Sequence, residues 1–251
     1  MIELIRNCSH GNQIATYLAE DNEPGKLILK VTTAFSGIQA LKREYKGWDW
    51  YQSLRYPEAE HPFCKIIRDK ASYIKLQIKY IEGIIPDHRK GLINNAWVSD
   101  KVIEHYCRIW PYFKDRRVPL HGDLSIGNII YNPAFGVNII DWEYFNFDGA
   151  FWGFDALHFL FELLWLSMRN RKLPTKDEVD IITRNIRLLN TSGWLDAKII
   201  KHPLLFVRNF MRENTKIWTE QIKLSPDKFP ILNFTDFQIS AIDNIIEAKF
   251  K

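Results

Sequence analysis

Cysteine and long apolar runs are scarce in this sequence. The 251 residues include three cysteines, Cys8, Cys64 and Cys107, which are far apart and form no Cys-x-x-Cys pair. This pattern argues against a disulfide framework and against a zinc site, and it favours a reducing compartment, so we expect a cytoplasmic protein. The N-terminal stretch has no long apolar segment, so we expect no signal peptide. The most apolar stretch, 151–168, contains acidic and histidine side chains and is therefore expected to be a buried helix rather than a membrane span.

Runs of one charge sign, internal repeats and low-complexity tracts are also absent. The net charge is +4, and the lysines and arginines are spread along the chain. This distribution is typical of an ordinary solvated surface, so we expect no nucleic-acid partner. Hydrophobic residues make up 46% of the chain, which is enough for the core of one large domain or of two small lobes.

The most informative stretch is 118–145, with the sequence VPLHGDLSIGNIIYNPAFGVNIIDWEYF. Its two apolar runs, separated by a turn that contains Asn, Pro and Gly, predict a β-hairpin. Asn128 precedes the first strand and Asp141 follows the second, so antiparallel pairing brings them side by side, with Asp123 upstream on the same loop. Such carboxylate and carboxamide oxygens are ligands that Mg²⁺ prefers when phosphate completes its shell. The alternative is a chance loop in which Asp123 and Asn128 only form turns.

The first third of the chain is predicted to form a small antiparallel sheet. Alternating apolar residues and turn signals predict the strands 3–6, 14–19, 26–32, 63–68 and 73–81. Lys30 lies in the middle of the third strand, among apolar residues. A lysine in that position needs a partner or a route to solvent. An exposed edge position is the alternative.

One helix is predicted between the third and fourth strands. Ser36 and Gln39 form a capping-box pattern that opens it, and it is expected to end near Leu54. Glu44 borders the apolar face of this helix, where its carboxylate could pair with Lys30. The alternative is an ordinary solvated helix charge.

The last hundred residues are predicted to be helical. Capping-box patterns occur at Thr175 and Thr235, and Ser99 and Asp100 are expected to cap an earlier helix. A core helix is predicted at 153–169, with a carboxylate near its start that would satisfy free N–H groups. The chain is therefore predicted to have an α+β fold.

The motif His-Gly-Asp-x-x-x-x-Asn, followed by a hairpin and Ile-Asp-Trp-Glu, resembles the catalytic core of the aminoglycoside phosphotransferase and choline/ethanolamine kinase family. The resemblance implies a two-lobed, protein-kinase-like fold, with a nucleotide-binding lobe at 1–82 and a catalytic and acceptor-binding lobe at 83–251. It also implies that ATP and Mg²⁺ serve to phosphorylate a hydroxyl of a small molecule, either an amino alcohol such as choline or a sugar or aminoglycoside.

Roles for the loop residues follow from the same resemblance. Asp123 corresponds to the catalytic base, and Asn128 and Asp141 correspond to the metal ligands. His121 corresponds to a residue that braces the loop, and Asp155 to one that steadies it.

Nucleotide-binding residues are also implied by the resemblance. Lys30 would touch the α- and β-phosphates and be held by Glu44, as in kinases. Further contacts would come from backbone groups of the first turn and of the sheet's end, namely Ser9, His10, Gly11 and Asn12, and Lys79, Tyr80, Ile81 and Glu82. The first turn has one glycine and no Gly-x-Gly-x-x-Gly pattern, so a plain hairpin turn is the alternative.

Two other functions are alternatives to a small-molecule kinase. A pseudokinase, acting as a nucleotide-binding or scaffold protein, is suggested by the glycine-poor turn alone. A protein kinase is disfavoured because no Ala-Pro-Glu follows Asp141, and only about a dozen residues separate it from the next predicted helix. Trp142 and Tyr144 slightly favour an amino-alcohol acceptor over a sugar. Glu143 could reach a second metal or be a surface acid.

Overall fold

A computed structural model describes residues 2–7, 13–20, 25–70, 72–87, 89–112, 117–215 and 230–251. These residues form two compact units. The first contains the described residues up to Glu82 together with Asp141–Asn146, and the second contains Gly83–Ile140, Phe147–Thr215 and the C-terminal residues. The first unit is built on an antiparallel sheet and the second is mostly helical, which confirms the α+β fold class. The assignment of nucleotide binding to 1–82 and of catalysis to 83–251 stays a prediction.

The first unit contains a five-stranded antiparallel sheet with the order β1-β2-β3-β5-β4. Its strands are β1 (Ile2–Asn7), β2 (Ala15–Glu20), β3 (Lys26–Thr32), β4 (Cys64–Lys70) and β5 (Tyr73–Lys79). Strand β3 is central, and Lys30 lies opposite Thr16 on one neighbour and Leu76 on the other. An exposed edge position for this lysine is thereby excluded.

Helix α1 (Phe35–Arg55) follows β3. Its N-cap is Ala34, whose methyl group cannot accept a hydrogen bond from the first turn. The predicted capping box at Ser36 is therefore wrong. The Ala34 amide instead donates to Thr32 Oγ1 at 3.1 Å, because the strand ends immediately before the helix begins.

The buried face of α1 carries an acid among its apolar residues. Helical spacing places Ile38, Leu41, Tyr45 and Trp48 on one face. Ile38, Leu41 and Trp48 are buried, and Tyr45 is half-buried. Glu44 is also fully buried, with 0% of its surface exposed. It therefore lies on the buried face rather than beside it, which excludes the solvated alternative.

The predicted hairpin is present in the second unit. Strand β7 (Ile129–Asn132) pairs with strand β8 (Gly136–Ile139) in antiparallel register. The Asn132 side chain accepts from the amides of Ala134 and Phe135, which closes the turn. Gly136 has φ 79°, a conformation that glycine adopts without strain. Two further short strands are β6 (Val118–Leu120) and β9 (Asn146–Ala150).

Helices make up most of the second unit. They are α2 (Ala96–Ile109), α3 (Phe154–Met168), α4 (Lys176–Leu189), α5 (Ala197–Lys201), α6 (Pro203–Glu213) and α7 (Asp236–Ala248). The capping boxes at Thr175 and Thr235 are confirmed. Ser99 and Asp100 lie inside α2 rather than before it, so their predicted capping role is wrong. Among the described residues, no helix is long and apolar enough to cross a membrane.

Candidate active site

The first unit brings three of the predicted site residues together around the Lys30 ammonium. Lys30 Nζ lies 2.8 Å from Glu44 Oε2 and 2.6 Å from Asp141 Oδ1. A third carboxylate, Glu143 Oε1, lies at 3.4 Å. Strand β3, helix α1 and the chain after β8 therefore each contribute to one ionic cluster, and the predicted Lys30–Glu44 pair is confirmed.

The electrostatics of this cluster follow from burial and from an excess of negative charge. Lys30 is only 8% exposed. Burial alone would lower the pKa of Lys30, but the charges of Asp141, Glu44 and Glu143 raise it well above its ordinary value, so the ammonium stays charged. Burial also raises the pKa of Glu44, with Lys30 opposing the shift.

The three carboxylates also fit a divalent cation. Glu44, Asp141 and Glu143 each offer an oxygen, and these oxygens lie within 4.8 Å of one another. Glu44 Oε1 is buried with no hydrogen-bond partner among the described residues. Hard oxygen donors of this kind suit Mg²⁺, so the donor set is compatible with the predicted metal.

Asp141 has a backbone conformation that is rare for a residue with a side chain. Its φ is 66°, in the left-handed region. The next residue, Trp142, is fully buried and packs against Trp50, Tyr51 and Phe145, with ring centroids 5.0 to 5.9 Å apart. This aromatic contact anchors the chain directly after Asp141.

In the second unit, the structure brings Asp123 and Asn128 together. Asn128 Nδ2 donates to the Asp123 carbonyl at 2.8 Å and to its carboxylate Oδ2 at 3.2 Å. The Ile140 amide donates to the Asn128 carbonyl at 3.0 Å, so the hairpin closes at the loop as predicted. Because Nδ2 is used within the loop, Oδ1 of Asn128 is its remaining atom for a metal.

Two buried side chains fix the loop around Asp123. His121 Nε2 contacts the Ile140 carbonyl at 3.0 Å, and His121 Nδ1 accepts from the Asp123 amide at 3.2 Å. The Asp155 carboxylate accepts from the amides of His121 and Gly122 at 2.8 and 3.0 Å. His121 thus braces the loop and Asp155 steadies it. The predicted capping role of Asp155 in its own helix is wrong, because α3 has no side-chain cap.

Replacing Asp155 with asparagine should flatten part of the pH dependence of stability. Burial raises the pKa of Asp155 from 3.8 to about 7, although the two loop amides oppose the shift. A pKa raised by folding gives stability that is fully present below pH 3.8 and is lost as the pH rises towards 7. The loss corresponds to about 4 kcal/mol. Urea unfolding of both proteins between pH 4 and pH 7.5 measures it, and parallel pH profiles would contradict the expectation.

Glu162 on α3 was not predicted as a site residue. Its Oε2 is buried and has no hydrogen-bond partner among the described residues. Burial raises the pKa of Glu162 to about 8, and the charge of Asp123 adds to the shift. The signal in the sequence is an acid in the middle of a mostly apolar helix.

The structure describes only some of the residues that were predicted to contact the nucleotide. Ser9, His10, Gly11 and Asn12 lie outside the described residues. The Lys79 amide donates to the Phe63 carbonyl and the Tyr80 amide to the Lys26 carbonyl, so both are used within the sheet. The nucleotide contacts of Lys79, Tyr80, Ile81 and Glu82 stay a prediction.

One comparison with known proteins gives the fold, and none gives a family. No family model matches the sequence, and no curated protein matches it. Among solved structures, a point mutant of aminoglycoside 2'-phosphotransferase IIIa in complex with GDP matches with a TM-score of 0.52 and 12% identity. The match covers 100% of this chain and 91% of the other. At this identity the likeness establishes the fold alone, and the chain has the protein-kinase-like fold of that phosphotransferase.

Proposed function

We propose that this chain transfers the terminal phosphoryl group of a magnesium nucleotide to a hydroxyl of a small molecule. The observation that carries the proposal is the buried Lys30 ammonium, held between Glu44 and Asp141. A lysine that stays charged inside the protein is suited to bind phosphate oxygens. In kinases, a strand lysine paired with a helix glutamate does so.

The proposed mechanism relies on positioning and charge. Lys30 binds the nucleotide phosphates, and Glu44 keeps its ammonium directed at them. Asn128 and Asp141 are the residues that would hold Mg²⁺. When bound, the ion neutralises charge on the phosphate oxygens. Asp123 orients the acceptor hydroxyl and takes its proton as the oxygen attacks phosphorus, and the nucleoside diphosphate leaves.

The acceptor is proposed to carry a positive charge. Glu162, which is half-buried, has a buried carboxylate oxygen without a hydrogen-bond partner among the described residues, and it is close enough to Asp123 for the two charges to interact. An ammonium group on the acceptor would provide the missing partner and favour the ionised form of this acid. This favours amino alcohols and aminoglycosides over neutral sugars.

The test is nucleoside diphosphate release across a panel of amino alcohols, aminoglycosides and neutral sugars, with Mg²⁺ and either ATP or GTP. Both nucleotides are included because the similar phosphotransferase is a GDP complex. We expect acceptor-dependent release. Nucleotide binding in a thermal shift assay, without release for any acceptor, would favour the pseudokinase alternative. Failure to bind either nucleotide would refute the proposal.

Replacing Glu162 with glutamine should weaken the binding of charged acceptors but not of neutral ones. We expect the KM of amine-bearing acceptors to rise about 10- to 100-fold, since a hydrogen bond to a charged group contributes about 1.5–3 kcal/mol. The KM of neutral acceptors and of the nucleotide should not change. Glu104→Gln is the control, because Glu104 is an exposed acid on α2. Equal effects on charged and neutral acceptors would exclude this role.

A further inference from the structure

One turn of α1 faces the segment 141–145, here called the Asp141 segment. Arg43 Nε donates to the Glu143 carbonyl at 2.7 Å. Glu44, the next residue on the helix, holds Lys30, which in turn contacts Asp141. One turn further on, Gly47 lies so close to Trp142 that a Cβ atom at this position would stand 2.5 Å from Trp142 Cβ. The helix therefore touches the segment directly at Arg43 and Gly47, and Glu44 is linked to it through Lys30.

The Arg43 guanidinium donates to a backbone carbonyl. It is half-buried, and its Nη2 is buried without a hydrogen-bond partner among the described residues. Burying a cation in this manner costs free energy. What Arg43 gains in exchange is a hydrogen bond to a backbone carbonyl, that of Glu143. Such a bond fixes the path of the chain rather than the orientation of another side chain.

The backbone of the Asp141 segment needs this support. Asp141 has φ 66°, and residues with a side chain keep this conformation only where their surroundings impose it. Arg43 holds the chain two residues after Asp141, and the close approach at Gly47 holds Trp142. Lys30 holds the Asp141 side chain itself. Of these contacts, only that of Lys30 involves a group proposed to touch the nucleotide.

We propose that Arg43 is a positioning residue, which keeps the Asp141 carboxylate directed into the site by fixing the Glu143 carbonyl on α1. The inference rests on the proposed function, in which Asp141 is a ligand of Mg²⁺. Gly47 is required because any side chain there would push Trp142, and with it Asp141, away from the helix. Without Arg43, the segment relaxes and the metal ligand loses its preorganised orientation.

The test compares Arg43→Gln and Arg43→Lys with the wild type. Lys46→Gln is the matched control, because Lys46 is an exposed cation on the same helix. In Arg43→Gln we expect the Mg²⁺ concentration that gives half-maximal turnover to rise about 10-fold or more, with little change in kcat at saturating Mg²⁺. Groups that orient metal ligands typically contribute 10- to 100-fold to metal affinity. Arg43→Lys keeps a donor and should recover part of the effect, and the control should equal the wild type.

A second readout is independent of activity. Hydrogen–deuterium exchange of the amides at 141–146, without metal or nucleotide, should be faster in Arg43→Gln and unchanged in Lys46→Gln. Unchanged exchange in this segment would overturn the proposal, as would lower thermal stability with an unaltered Mg²⁺ dependence. If the wild type proved to transfer no phosphate, only the proposed function would fail, and the exchange measurement would still decide whether Arg43 fixes the segment.

Discussion

Asp123→Asn should lower acceptor-dependent turnover by at least about 10²-fold, because a positioned general base typically contributes 10²- to 10⁴-fold to rate. Asparagine keeps the shape of the side chain and can still accept from Asn128 Nδ2, a bond of 3.2 Å in the structure. It cannot take a proton from the acceptor. The loss should therefore appear in kcat, with the KM of the nucleotide nearly unchanged, as steady-state kinetics will measure.

The matched control for this prediction is Asp49→Asn, an exposed acid on α1. It should retain wild-type turnover. Turnover of Asp123→Asn within about threefold of the wild type would mean that Asp123 is not the base. A similar loss in kcat together with weaker nucleotide binding in a thermal shift assay would show that the substitution had disturbed the loop instead.

Lys30→Met should abolish turnover and lower the free energy of unfolding by about 3–5 kcal/mol at neutral pH, the typical cost of removing one partner of a buried ion pair. The substitution removes the ammonium that the carboxylates of Glu44, Asp141 and Glu143 share. Their mutual repulsion raises the carboxylate pKa values in the folded state, so protonation at lower pH relieves the cost. The deficit should accordingly be smaller at pH 5 than at pH 7.5.

Urea unfolding at the two pH values measures the effect on stability. Turnover, measured where the variant is folded, gives the effect on activity. Lys46→Met serves as the control, because this exposed lysine carries the same charge on a neighbouring element. Lys30→Met with wild-type stability at both pH values would show that the three carboxylates do not depend on the ammonium. Full turnover would remove Lys30 from the mechanism.

The Lys30–Glu44 pair could be predicted from the sequence because two local patterns and a resemblance agreed. Strand alternation placed the lysine inside the sheet, and helical spacing placed the acid near the apolar face. The hairpin could be predicted for a similar reason, since its turn residues and flanking β-branched runs act over short range. Such local patterns can be interpreted without knowing the tertiary packing.

The failed predictions concern positions where tertiary structure overrides a local pattern. Ser36 and Gln39 have the spacing of a capping box, but the N-cap is Ala34, two residues earlier, directly after the end of β3. Asp155 has the position of a helix cap, yet its carboxylate is used by the amides of His121 and Gly122, more than 30 residues away. Sequence spacing along one helix contains no information about such a partner.

The contacts of Glu143, Arg43 and Gly47 were not predicted for the same reason, because each depends on tertiary structure. The sequence leaves the role of Glu143 open, and the structure places its Oε1 atom 3.4 Å from Lys30 Nζ. Arg43 is an ordinary helix residue, whereas Gly47 is an unfavourable one whose presence hints at a close contact. Both contacts involve a chain segment about a hundred residues further along. Distant pairings of this kind become visible only when the folded chain brings the two segments together.

The close approach of Gly47 to Trp142 has an evolutionary consequence. A Cβ at position 47 would meet the Cβ and Cγ atoms of the indole side chain at 2.5 and 2.9 Å, so the size of one residue limits the size of the other. Homologous chains should therefore change the two positions together, with alanine or a larger residue on the helix only where the tryptophan is replaced or its backbone is displaced. An ancestor that acquired the tryptophan first would have lost stability until the glycine arose, which predicts the order in which the two substitutions became fixed.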